Sequence, residues 1–587
     1  MTSADTITLE NLSDKLPLWS PDDENHLYAI VDMGSNGIRF SITTLEPPKT
    51  RLLVPIYSDR AGISLFDALK SNESGELVFP ADTITEVSST LAKFSRIALL
   101  HNVPRCNILV FATEAMRRAS NAGDMLEAIS EKSGGLNVRI LHPSVETLFG
   151  AVMGSRSGLT DVGGGALFLD LGGGSVQMTW VDTDLDGYEI KAARAGISLP
   201  FGAAKLIKVL GNEDQKFVKT ELGSLQSGLK SAFDKLVKTF PRLSEIQASY
   251  EKGGDALLDV YMCGGGFRGY GSMLMHSDRI QPYPISSIGS YTVTGSTFKQ
   301  VDRMCHVNDT YDANIFGMSN RRRQQFPAIA AIINNLVEVV PNIGHVTFCK
   351  GSNRDGALMM KLPRNIRESN PLEVLADVGD SERPLFDAVL RKLTQAIPAD
   401  IEFKHSKAVI SGGLGQLFVR DMWTRAGHEA ETNASFALHH SITRDSDVPG
   451  LTHQARAALA TALVARWGNK LGRSDLQLLE GLQGISKRHG DEASFWAEYV
   501  GTVANVLCKL FPHRPGNIQH FEQAITIEAN LKHRKDKKDR VELTILVASE
   551  SAQGINLKDL SSMLGKIGKR QGKPPKKVNA RVSLFTT

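Results

Sequence analysis

Two aspartates, Asp32 and Asp170, each end an apolar, β-branched-rich run and stand one residue ahead of a glycine-rich turn. The first turn reads Asp32-Met33-Gly34-Ser35-Asn36-Gly37, with Arg39 just beyond; the second reads Asp170-Leu171-Gly172-Gly173-Gly174-Ser175. A turn of this kind can aim several backbone N–H groups into one concavity and hold an anion without side-chain charge. The neighbouring aspartate adds a hard oxygen that suits Mg2+, directly or through water. Facing each other, two such turns would grip a phosphate chain from both sides while the metal neutralises its oxygens. One Asp-x-Gly turn is a common hairpin. Two matched copies 138 residues apart, the size of a domain, point to an internal duplication in which each half contributes one loop. A third run, Gly264-Gly265-Gly266, follows the strand-like ALLDVYMC and is either a third anion-binding turn or a simple sharp bend.

Residues 27–45 and 166–182 must be strand–turn–strand units for these loops to form, and both carry the composition for it. NILVFAT (107–113) and LNVRILH (136–142) read as strands, with 114–135 between them as helix ending at Gly134-Gly135. An amphipathic stretch over 203–238, a helix over 326–340, and strand, loop and helix through HVTFCKGSNRDGALMM complete an α/β pattern. Beyond about 365 the pattern becomes mostly helical, as in 451–471. RVELTILVAS (540–549), a following helix and a strand near VNARVSLF suggest a small terminal α+β domain. The expected division is a flexible leader over 1–25, lobe I over 26–155, lobe II over 156–362, a helical domain over 363–485 and an α+β domain over 486–587.

The 587 residues are too many for one core, and 42% hydrophobic with 22% charged residues is ordinary globular composition. No apolar run is long enough to span a membrane, and the N-terminal residues lack the pattern of a secretory signal. Five scattered cysteines without a C-x-x-C pair argue against a disulfide framework or zinc site, and fit a reducing, cytoplasmic location. The net charge of +3 gives no reason to expect a nucleic-acid partner. It hides an asymmetry, since residues 531–587 carry about +9 and the rest about −6. That basic tail could hold a polyanion, although a solvated surface is the simpler reading. His439-His440 is the one adjacent histidine pair and, without carboxylates at ligand spacing, reads as structural.

Five blocks, in order across about 27–360, resemble the signatures of the Ppx/GppA (exopolyphosphatase/guanosine pentaphosphatase) family: AIVDMGSNGIRF, FATEAMRRASN, FLDLGGGSVQM, SLPFGAAKL and GSNRDGALM. The resemblance implies two ribonuclease-H-like lobes of the actin-like ATPase superfamily around a phosphate-binding cleft. It also implies roles. Glu146 aligns with the family's catalytic glutamate and could accept a proton from attacking water. Arg117 matches the motif arginine and could clamp phosphoryl oxygens; Arg39 and Arg60 are weaker candidates for the same cleft. Asp32 and Asp170 would hold Mg2+. Two departures stand out: His142-Pro143-Ser144-Val145-Glu146 replaces Ser-Gly-x-Glu, and Gln177 stands where the family commonly has a glutamate.

The resemblance supports two functions. One is an Mg2+-dependent phosphoanhydride hydrolase acting on polyphosphate or a guanosine polyphosphate. The other, favoured by the departures, by Gly37 in its turn and by the divergent C-terminal half, is a cytosolic regulator of mitochondria-to-nucleus metabolic signalling. It would bind a nucleotide or polyphosphate and pass the state of the cleft to a protein partner. A homodimer is compatible with either. A kinase is a weaker third reading, since no acceptor motif supports it.

Overall fold

The duplication read from the two aspartate turns is present in the strand order itself. In the computed structural model, which describes residues 5–156, 158, 162–401, 408–425, 430–444, 449–488, 490, 492–535, 537–569 and 574–585, lobe I holds a six-stranded sheet. Its strands are β1 (Thr6–Ile7), β2 (Leu27–Gly34), β3 (Gly37–Thr44), β4 (Val54–Ala61), β5 (Ile108–Ala112) and β6 (Val138–Leu141), in the order β1-β6-β5-β2-β3-β4. Lobe II repeats this with β7 (Ala166–Leu171), β8 (Val176–Val181), β9 (Ile197–Leu199), β10 (Leu258–Cys263), β11 (Tyr291–Thr294) and β12 (Ile343–Phe348), in the order β9-β8-β7-β10-β12-β11. In each lobe the aspartate strand pairs antiparallel with the next strand in sequence and parallel with a later one. A third antiparallel strand and a second parallel strand extend the two sides alike. These are ribonuclease-H-like lobes. Only the outermost strands differ: β1 is parallel to β6, whereas β11 is antiparallel to β12.

Strand β2 is apolar up to Asp32 because helices cover both faces of the sheet. Ala29, Val31 and Met33 face a core shared with Val87, Leu91 and Phe94 of helix Ala81–Leu100. Tyr28 and Ile30 face the opposite core with Leu141, Leu148 and Phe149. The alternation is that of a pleated strand.

Several expectations are revised. The leader is tied down: Thr6–Ile7 pairs with Ile140 and Leu141, and Leu12, Leu16 and Trp19 are buried in the lobe I core. The helix expected over 114–135 is two helices, Glu114–Arg118 and Ala122–Ser133. Asn121 interrupts it because its amide exchanges two hydrogen bonds with the Phe79 backbone. Gly264-Gly265-Gly266 is the start of helix Gly264–His276.

The chain forms two compact units, Met1–Asp278 with Ser287–Ser369, and Arg279–Ser286 with Asn370–Thr587. The first extends past the expected boundary at 362, because Arg367 pairs with Glu189 and Glu368 with Arg156. In the second, the expected division at 485 is absent. One core joins Phe418, Leu463 and Tyr499 of the helices to Ile527, Leu543 and Leu560 of the α+β part. That part is a sheet of β13 (Ile525–Lys532), β14 (Arg540–Val547) and β15 (Lys577–Leu584), with helix Leu557–Leu564 connecting the last two. His439 lies 3.0 Å from Asp475, and His440 stacks on Phe436. Among the described residues no helix is long and apolar enough to cross a membrane.

Candidate functional site

The two aspartates occupy equivalent sheet positions: Asp32 is opposite Arg39 and beside Phe111, and Asp170 is opposite Gln177 and beside Cys263. Each strand therefore delivers its carboxylate and turn to the same end of its sheet. The turns then meet. A Cβ added at Gly173 would stand 2.7 Å from the Asn36 side chain, and one at Gly174 would stand 3.0 Å from Ser35 Oγ. The first would force the Asn36 side chain to shift and the second would be unusually tight, so glycine at both positions lets the second turn lie directly against the first. Gly202 underpins it: a Cβ there would come within 2.2 Å of the Gly173 backbone.

One cleft is lined by Asp32, Gly34, Ser35, Asn36, Gly37 and Arg39 from lobe I and by Asp170, Gly172, Gly173, Gly174 and Ser175 from lobe II. Glu146 and Gly264, Gly265 and Gly266 line it too. Gly264 has φ +85°, and a Cβ there would meet Asp170 Oδ1 at 2.1 Å, so the helix can begin under that carboxylate only as glycine.

Glu146 enters because β6 runs straight into a short helix, Pro143–Thr147. Pro143 occupies its first turn, where no backbone N–H is needed, so the proline that departs from the family pattern fits a helix start. The carboxylate accepts a hydrogen bond from Arg117 Nη2 at 2.9 Å, and Arg117 Nη1 donates to Leu141 O at 2.6 Å. Arg117 thus does not line the cleft; its donors hold Glu146, in place of the phosphoryl clamp expected of it. Arg118 turns away, over the Phe66 ring. Arg60 is exposed, with its guanidinium 3.3 Å from Asn36 O.

Sequence reasoning missed Thr113, Arg268, Gly351, Ser352 and Asn353, which also line the cleft. Arg268 sits four residues after Gly264, one helical turn in, and donates to Lys350 O and Gly351 O. Recognising a helix start at Gly264 would have placed it. Asn353 opens helix Asn353–Lys361, within the GSNRDGALM block that resembles a family signature.

Burial pushes the Asp32 carboxyl above its usual range, against Arg39 and Arg354. It does the same to Asp170, against Arg268. Burial likewise pushes Glu146 up to about 7, opposed by Arg117 and reinforced by the two aspartates. Arg39 and Arg268 line the same cleft, and Arg322 is lowered to about 10 by burial and then by its arginine neighbours Arg268, Arg39 and Arg60. Outside them the lobes are fastened together. Arg321 Nη2 donates to Asn36 Oδ1, Ser64 Oγ and Asp67 Oδ2 at 2.6–3.0 Å, and Lys208 lies 2.9 Å from Asp67.

Two buried oxygens, Asp32 Oδ1 and Asn353 Oδ1, have no hydrogen-bond partner. Such atoms suit a hard cation. Among the described residues no three or more His, Cys, Asp or Glu side chains converge as a metal-binding group. A cation here would take its remaining ligands from water and phosphate oxygens, which is the usual habit of Mg2+.

Comparison with known proteins gives two family matches: the Ppx/GppA phosphatase family over residues 48–365 and the RTG2 C-terminal domain over residues 370–584. The chain is 30% identical over 527 residues to retrograde regulation protein 2 of Saccharomyces cerevisiae, covering 86% of this chain and 85% of that protein. It is 25% identical over 179 residues to exopolyphosphatase 1 of Mycobacterium leprae, covering 30% of this chain and 48% of that one. A crystal structure of an Aquifex aeolicus Ppx/GppA family member is similar at 20% identity and a TM-score of 0.42, covering 57% of this chain and 96% of that one.

Proposed function

The chain belongs to the Ppx/GppA phosphatase family, and from that premise we propose that it is a regulatory protein whose interlobe cleft binds a nucleotide or polyphosphate together with Mg2+. The reading is carried by one observation: two duplicated, amide-rich turns touch, with Asp32 and Asp170 lining the same cleft. The turns' N–H groups and the facing arginines Arg39 and Arg268 suit phosphate oxygens. Asp32 and Asp170 suit the cation, which when bound neutralises phosphate oxygens and polarises phosphorus. The similarity to a yeast retrograde regulation protein along most of both chains supports a role in metabolic signalling. Because Arg321 and Lys208 bridge to Asp67 and Ser64 across the lobes, ligand between the turns would favour the fastened state and so alter the surface offered to a protein partner.

Glu146 favours a second reading, residual hydrolysis. A carboxyl at about 7 that is held by Arg117 and faces the cleft is suited to take a proton from water as it attacks a terminal phosphorus. The water oxygen bonds to that phosphorus as the bridging P–O bond breaks, so inorganic phosphate forms and the shortened chain or nucleotide leaves with the bridging oxygen, with Arg39 and Arg268 available to the developing charge.

The test is a thermal-shift screen of the full chain with ATP, GTP, guanosine tetraphosphate and polyphosphate, each with and without Mg2+. A ligand that binds only the folded state raises the melting temperature by mass action. At least one should do so in an Mg2+-dependent way; no shift with any of them removes the binding reading. Phosphate release that Glu146→Gln abolishes would establish turnover, whereas release unaffected by that change would exclude Glu146 as the base.

A further inference from the structure

We infer that Asn353 is a third protein oxygen donor to a divalent cation held between Asp32 and Asp170, an assignment that rests on reading the cleft as a cation–phosphate site. The two aspartates come from different lobes, and Asn353 stands between them. Its side chain is among the groups that hold the Asp32 carboxyl down against its burial. Its Oδ1 and Asp170 Oδ2 crowd the same bare backbone from another side: a Cβ at Gly150 would lie 2.8 Å from the first and 2.4 Å from the second. Gly150 belongs to the π-helical segment Leu148–Gly154, a rare geometry that is frequent at functional sites. Only glycine leaves these oxygens room.

Donors are missing on that side. Asn353 Oδ1 is buried without a hydrogen-bond partner, and so is Asp32 Oδ1, on a residue only 7% exposed. Buried acceptors without a donor are costly unless something positive satisfies them. A hard cation takes oxygen ligands of this kind, mixing carboxylates with a side-chain amide and completing its shell with water.

The asparagine is also held in place. Ser352 caps its helix and exchanges hydrogen bonds with Asp355, at 2.8 Å from Ser352 N and 2.7 Å from Ser352 Oγ to Asp355 Oδ2. Asn353, held inside this capping box, therefore has little backbone freedom, and its side chain is presented to the cleft at low entropic cost.

The experiment titrates Mn2+ alone into the full chain and follows free Mn2+ by electron paramagnetic resonance, for the natural protein, Asn353→Ala, Asn353→Asp and Asp170→Asn. Asn353→Ala should weaken Mn2+ binding at least about tenfold. Asn353→Asp should restore or exceed natural affinity, because it returns an oxygen but not the amide N–H. Natural affinity in Asn353→Ala overturns the assignment, as does equal weakness in Asn353→Ala and Asn353→Asp, which would mean that Asn353 acts only by orienting Asp32. In both cases loss in Asp170→Asn leaves the cation site standing. If the natural protein itself binds no Mn2+, the cation reading of the cleft falls together with the assignment.

Discussion

The two aspartate turns share a sheet position and a strand order, yet their glycines are there for different reasons. In lobe I the turn closes on Gly37, at φ +154°, where a Cβ would meet Ala61 O at 3.1 Å. In lobe II none of Gly172, Gly173 or Gly174 has a positive φ; what crowds a side chain at Gly173 and Gly174 is the facing lobe I surface, Asn36 and Ser35 of its turn with Glu114 beside them. One loop is shaped by its own hairpin, the other by the surface it must touch. Their strand partners diverge as well, with Arg39 opposite Asp32 and Gln177 opposite Asp170. Gln177 Nε2 donates to Ser175 Oγ at 2.9 Å, so the lobe II partner braces its own loop, whereas Arg39 brings a positive charge to the cleft. Duplication supplied the frame, and divergence put an arginine opposite one aspartate and a loop-bracing glutamine opposite the other.

The comparison can be broken most severely at Gly202, whose Cβ would collide with the Gly173 backbone. Gly202→Ala should destabilise the chain by at least about 3 kcal/mol in urea unfolding, through overpacking against backbone that cannot yield.

Next in size is the effect of Asp170→Asn and Asp32→Asn on ligand binding. Each should lower Mg2+-dependent ligand affinity at least about tenfold in calorimetric titration. Their unliganded melting temperatures should hold or rise, because burial disfavours both charged carboxylates. A loss in one variant only would mean that a single lobe holds the ligand.

Glu146 gives a pH signature. Between the ordinary glutamate value of 4.5 and about 7 the folded chain keeps a proton that the unfolded chain has released. Its contribution to stability is therefore complete below pH 4.5, falls as pH rises, and is gone above 7. Glu146→Gln should flatten the stability profile across that window and be more stable than the natural chain at pH 8 by about 1–3 kcal/mol. Chemical denaturation at pH 5 and pH 8 measures this, and lower stability of the variant at pH 8 would mean that the Arg117 pair outweighs the burial of the charge.

The smallest effect sharpens the comparison. Gly172 has ordinary φ, and the nearest atom to a Cβ there is Ser175 O, 3.6 Å away. Gly172→Ala should change stability by no more than about 0.5 kcal/mol, unlike its neighbours in the same turn.

Much of this was legible in the residues. Strand-rich runs ending in Asp-x-Gly, repeated one domain apart, carried the duplication, the lobes and the paired aspartates, because period, turn chemistry and spacing are local signals, whereas Glu146 came only from the family resemblance. Contacts between distant segments were not legible. Nothing in Gly264-Gly265-Gly266 separates a helix start from a turn until Asp170 is seen beside it. Arg117 and Arg118 are chemically alike, and only the fold turns one to Glu146 and the other to Phe66. Residues 6–19 read as a free leader because their strand partners lie more than 130 positions away. The boundary expected at 485 failed because a change in element type was taken for a change of core.

Hydrogen exchange at the two turns is the most direct measurement, since their backbone amides are the proposed ligand contacts. With Mg2+ and whichever phosphate compound shifts the melting temperature, peptides spanning 27–45 and 166–182 should gain protection together at one ligand concentration. Protection of only one of them, or of neither while the ligand is bound, would contradict a phosphate shared between the duplicated loops.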